Sequence, residues 1–255
     1  MRRKLSYWAL ALLVPLGFTA CQQEEDFALQ EQEIRVATRG ADDTGTFTDA
    51  FTLELWSTTD NAKYETHPMT YTDGAGWNTV KSSILPAHAF AYKGGSVTDV
   101  SYTDKWNYTV TLQFDQSSPE KLADADVMIA TGEASAESPL NLNFQHYFAK
   151  VTFNATLASE FDEADKITTL DVMTVDEKTV NAYVDEEGKT VSAIITPGEY
   201  TDGNDFLSIT VSDADNPLTV KVPTGGLTFT AGTHYTFNLK VGKDKVVAQF
   251  LDTEI

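Results

Sequence analysis

Residues 126–157 read DVMIATGEASAESPLNLNFQHYFAKVTFNATL, and the parity of their apolar positions decides the architecture. Leu140, Leu142, Phe144 and Phe148 fall on even positions, whereas Val151, Phe153, Ala155 and Leu157 fall on odd ones. Side chains of a strand alternate between its two faces, so one uninterrupted strand cannot send both sets into one core. The chain must bulge, kink or change sheets between Phe148 and Val151. Ala149-Lys150 is therefore the expected corner between two β-domains.

Working outward, both flanks carry strand signals. Phe51, Leu53 and Leu55 alternate with Thr52, Glu54 and Trp56, and Trp106, Tyr108, Val110, Leu112 and Phe114 alternate with polar residues. Ser117–Asp126 predicts a helical turn, with Ser118 as cap and Pro119 in the first position. Beyond Leu157, strands are expected at 167–175, 179–184 and 189–195, with Asp185–Gly188 as a hairpin turn. Phe206, Ser208 and Thr210 oppose Leu207, Ile209 and Val211, and Leu218, Val220 and Val222 alternate after them. Tyr235, Phe237, Leu239 and Val241 share one face, and Val246, Ala248 and Phe250 could share another. No long helical periodicity follows Gly40, so the 255-residue chain reads as all-β.

The composition narrows the function. The net charge is −20, and it is more negative still without Met1–Ala20, which carries Arg2, Arg3 and Lys4 and no acid. Such a surface repels nucleic acid and anionic lipid heads, which argues against direct binding to either. His67, His88, His146 and His234 show no metal-ligand spacing and have no neighbouring cysteine. The acidic stretches 202–205 and 213–216 lack the pattern of a calcium loop and read as Asx-rich turns. No nucleophile elbow, phosphate loop or dinucleotide fingerprint is present. A non-enzymatic protein without cofactor is expected.

The amino terminus reads as an export signal: a basic start, an apolar run Trp8–Phe18, and small residues before Cys21, the only cysteine. Cys21 is either an ordinary residue beside a conventional cleavage site or a residue with a role of its own. A lone thiol sent to an oxidising space needs a reason, which favours the second reading. Gln22-Gln23-Glu24-Glu25-Asp26 follows, then a short strand pattern of Ile34, Val36 and Thr38. All four arginines stand at positions 2, 3, 35 and 39, so an arginine-selective protease could cut the exported chain only at Arg35 or Arg39. Gly40-Ala41-Asp42-Asp43 is small and flexible enough to enter a protease cleft.

Several of these stretches resemble one family. Asp126-Val-Met-Ile-Ala, a turn, then Leu142-x-Phe144-x-His146-x-x-Ala149-Lys150-Val151 is similar to the mid-chain signature of the Bacteroidales fimbrillins, the subunits of type V pili. Gly232-x-x-Tyr235-x-Phe237-x-Leu239 resembles a strand near the end of many members. Phe18-Thr19-Ala20-Cys21 resembles a bacterial lipobox, with Phe18 in place of the usual leucine, and the acidic run after it resembles a surface-export signal. The resemblance implies two tandem β-sandwich (transthyretin-like) domains at 40–149 and 150–255, behind a signal peptide at 1–20 and an acidic leader at 21–39 whose strand can be removed. It implies lipidation at Cys21, cleavage behind Arg39 before Gly40 with Arg35 as the lesser site, and assembly with other pilus subunits by strand addition. The implied location is the outer membrane, through the lipid, and then the pilus. Family members often end in an isoleucine-x-x-tryptophan pattern that this chain lacks, which leaves stalk, tip, anchor and accessory roles open, and the receptor with them. The competing expectation is a surface glycan-binding or accessory lipoprotein, for which Trp56, on the polar side of its strand, and Trp77 and Tyr71 in a Gly-rich loop would serve as sugar platforms.

Overall fold

The computed structural model describes residues 31–40, 47–212 and 216–254, with side chains to residue 249. Cys21, the export signal and the acidic run after it lie outside these residues. The described chain is built almost wholly of strands, with one short helix, Pro119–Ala125. Ser118 caps that helix by accepting from the Lys121 amide, and proline stands in its first turn, as the sequence leads one to expect.

Five antiparallel strands form the first sheet, in the order Gln145–His146, Met128–Ala134, Ala87–Lys93, Phe51–Ser57 and Lys63–Met69. Alternation divides their side chains between two covered faces. Leu53, Leu55, Ala89, Ala91, Met128 and Ala130 enter a smaller apolar core, whereas Phe90 and Ile129 belong to a larger one. The outer face is covered by the hairpin Ser96–Tyr102 and Trp106–Thr111, which lays Trp106 and Tyr108 against Phe90 at 5.1 and 5.2 Å between ring centroids. Ala87–Lys93 turns into that hairpin through Gly94 and Gly95, both at positive φ. A Cβ on Gly95 would meet Val127 Cγ2 at 2.4 Å, so only glycine fits this turn.

The second half builds two larger sheets beside a two-stranded one, Gly198–Tyr200 with Leu227–Phe229. One runs Tyr183–Val184, Thr190–Ile195, Ala149–Leu157, His234–Val241, Val246–Glu254, and the other Thr179–Asn181, Ile167–Met173, Asp205–Val211, Leu218–Lys221. Ala149–Leu157 lies parallel to His234–Val241, with Phe153 registered on Phe237 and their rings stacked at 5.3 Å. Phe206 and Leu207 are both buried although they have opposite parity. A register shift between Asp205 and Leu207 turns both inward.

The chain passes between the cores inside the stretch 126–157. Leu140, Leu142 and Phe144 belong to the smaller core, and Phe148, Ala149, Val151 and Phe153 to the larger. The transfer therefore begins before Phe148, across the short pairing of Gln145–His146 with Met128 and Ile129. The parity change falls between Phe148 and Ala149, which are both buried. Gly132 allows the strand Leu140–Asn143 to cross close above its own strand: a Cβ there would meet Leu140 Cδ1 at 2.8 Å.

Candidate strand-exchange groove

The segment before Arg39 is the most suggestive feature of the smaller core. Its first part, Gln32–Ile34, pairs antiparallel with Val80–Ser82. Its second, Val36–Arg39, runs parallel to Leu140–Asn143, with Val36 opposite Leu140 and Arg39 opposite Asn143. The sequence explains the fit. Ile34 and Thr38 point inward and are buried, and Val36 is half-buried, whereas Arg35, Ala37 and Arg39 face solvent.

Main-chain bonds hold the segment from its side. Leu140 donates its amide to the Arg35 carbonyl at 2.7 Å, and Phe144 donates to the Arg39 carbonyl at 3.0 Å. Beneath lie Val80, Phe47, Phe51, Leu142 and Phe144. Phe47 stacks on Phe144 at 4.3 Å, and Phe51 meets Phe144 edge-on at 5.0 Å. Burying Ile34 contributes about 1.5–3 kcal/mol, and each ladder bond about 0.5–1.5 kcal/mol net. This is a hold that depends on the segment's remaining tethered, because a cut peptide loses its high effective concentration.

One polar locus lies inside this apolar groove. Thr38 Oγ1 donates to the Phe47 carbonyl at 2.6 Å and accepts from Trp77 Nε1 at 3.2 Å. Nothing in the sequence marked Thr38 or Trp77 for this role, since they stand 39 positions apart. The parity of Leu140, Leu142 and Phe144 was the legible sign of the groove floor.

Arg39 is the last residue of its strand, and half-buried Gly40 follows. Arg35 lies between the two paired pieces, ladder-bonded on either side. Cleavage behind Arg39 disturbs only the end of the ladder, whereas cleavage behind Arg35 requires its middle to open.

The other singled-out residues find plain structural partners. Trp56 was expected to face solvent but is buried: it donates to Glu54 Oε2 at 3.3 Å and meets Trp106 edge-on, because the hairpin covers that face. Trp77 and Tyr71 are half-buried and pack on each other at 5.3 Å. His67, His88 and His146 pair with Glu65, Glu133 and Asp126, and His234 Nε2 lies 2.8 Å from Thr152 Oγ1. His146 is half-buried at the margin of the core rather than within it. Among the described residues no group of His, Cys, Asp and Glu is placed to hold a metal ion.

Residues 90–255 match the fimbrillin-like family, and this range covers most of the chain. The chain belongs to the fimbrillin-like family. It is thus a pilus-type or adhesion-related subunit of the cell surface. Solved structures share the fold of this fimbrillin-like chain. A candidate cell adhesion protein from Bacteroides ovatus is 13% identical with a TM-score of 0.59, over 88% of this chain and 98% of that one. Another, from Bacteroides uniformis, is 17% identical with a TM-score of 0.57, over 87% and 97%. No curated protein sequence matches.

Proposed function

We propose that this fimbrillin-like chain is exported as a lipoprotein through Cys21, cut between Arg39 and Gly40, and assembled into a pilus by strand addition. The observation that carries the reading is the placement of Val36–Arg39: a short strand that ends on the cleavable arginine fills a groove over the smaller core. Its removal uncovers Leu140, Leu142 and Phe144 together with the amides of Leu140 and Phe144. An extended segment of another subunit restores both the main-chain bonds and the apolar contacts. Keeping the leader in place until the subunit reaches the surface delays exposure of an aggregation-prone edge.

In this reading the acyl chains on Cys21 hold the precursor at the outer membrane, each buried CH₂ contributing about 0.8 kcal/mol. An arginine-specific protease then releases it. Residues 40–149 and 150–255 act as the amino- and carboxy-terminal domains, with the passage of the chain from the smaller core at Phe144 to the larger one at Phe148 lying just before that division. The test is arginine-specific digestion of the folded chain followed by mass measurement and mild-detergent electrophoresis. A fragment beginning at Gly40 that forms ladders supports the proposal. A chain that resists digestion, or a cut chain that stays monomeric, overturns it.

A further inference from the structure

We propose that the groove selects its incoming strand by a hydroxyl group: an aliphatic residue at the Ile34 position and serine or threonine at the Thr38 position. This rests on the strand-exchange reading and says which partner strands the groove takes.

Thr38 is 6% exposed, yet its hydroxyl serves two groups at once, the Phe47 carbonyl as acceptor and the Trp77 indole N–H as donor. When the leader leaves, both groups lose that partner in an aromatic surround. Phe47 lies on Phe144 at 4.3 Å, and Trp77 meets the Phe51 ring at 4.8 Å. A single atom that both donates and accepts, on a short side chain, is a hydroxyl. Valine has the shape of threonine but leaves the carbonyl and the N–H unsatisfied, and unmade bonds of buried groups cost more than made ones contribute. Lysine supplies only donors and cannot answer the indole N–H. At the other end, Ile34 lies 2% exposed opposite Val80, a position that takes an aliphatic side chain. The groove therefore fits a β-strand of the form aliphatic-x-x-x-Ser/Thr, and rejects uniformly apolar strands that would otherwise compete for it.

The sole cysteine provides the probe. The mature, unlipidated chain with Arg35→Lys, labelled with a fluorophore at Cys21, is cut behind Arg39 and titrated with peptides of residues 31–39. These peptides carry threonine, serine or valine at position 38. Fluorescence anisotropy reports displacement of the labelled leader. The expected result is that the threonine and serine peptides displace it within a few-fold of each other, and the valine peptide about tenfold more weakly. Trp77→Phe should shrink that difference, and alanine at position 34 should weaken all three peptides alike. Equal displacement by valine and threonine, or a difference untouched by Trp77→Phe, overturns the selectivity while leaving strand exchange standing. A leader that no peptide displaces overturns strand exchange itself, and the selectivity with it.

Discussion

Phe144 donates its amide to the carbonyl of Arg39 at 3.0 Å, so the arginine that ends the leader is tied to an aromatic residue at the floor of the groove. This bond is the last of the ladder, and a protease has only to open the end of the strand to bind the Arg39–Gly40 peptide. Arg39→Lys is expected to abolish the Gly40 fragment in arginine-specific digestion of the folded chain. Arg35→Lys should leave its yield unchanged, as intact mass will show.

The groove floor should be costly to thin. Leu142 is 1% exposed, and truncating it to alanine removes apolar contacts and leaves a cavity, with a loss of about 2–5 kcal/mol in urea unfolding. Its exposed neighbour Asn143 faces away from the core, and Asn143→Ala should change stability by no more than about 0.5 kcal/mol.

Gln116 predicts a second sensitive position, far from the groove. Its side chain is completely buried and behaves as a piece of strand: Oε1 accepts from the Ile194 amide at 2.7 Å. Nε2 donates to the Ile194 carbonyl at 2.9 Å and to the Gln113 carbonyl at 2.8 Å. Gln116→Leu orphans a buried amide and two carbonyls, each worth about 1–3 kcal/mol when left unpaired. The expected signature is a loss of several kcal/mol, together with faster hydrogen exchange at Ile194.

Tyr200 sets an alkaline limit. Burial pushes its phenol well above the ordinary range, with the nearby Asp176 charge acting in the same direction, and the hydroxyl donates to the Thr196 carbonyl at 3.0 Å. A folded-state pKa above the unfolded value of about 10 has no effect on stability while both states are protonated. Above that pH the unfolded chain ionises first, and stability falls by up to about 1.4 kcal/mol per pH unit until the folded pKa is reached. Tyr200→Phe should reduce this decline above pH 10, as unfolding midpoints from pH 8 to 12 will show.

Much of the fold was legible because it is written in local alternation. The parity of Leu140, Leu142 and Phe144, the cap at Ser118 and the turn at Asp185–Gly188 all rest on neighbours within a few residues. Trp56 misled because its exposure depends on the hairpin carrying Trp106, which returns from 50 positions away to cover it. Phe206 misled because a register shift cancels its parity. The confinement of arginine to positions 2, 3, 35 and 39 was legible from composition alone. The hydroxyl locus of Thr38 could not, since the Trp77 indole reaches it only through the folded sheet edges.

The most direct measurement is the mass of the assembled species, by light scattering, before and after arginine-specific cleavage of the mature chain. Strand exchange predicts monomers before cleavage and oligomers after it, suppressed by excess peptide of residues 31–39. Oligomers that form without cleavage, or a cut chain that remains monomeric, would contradict it.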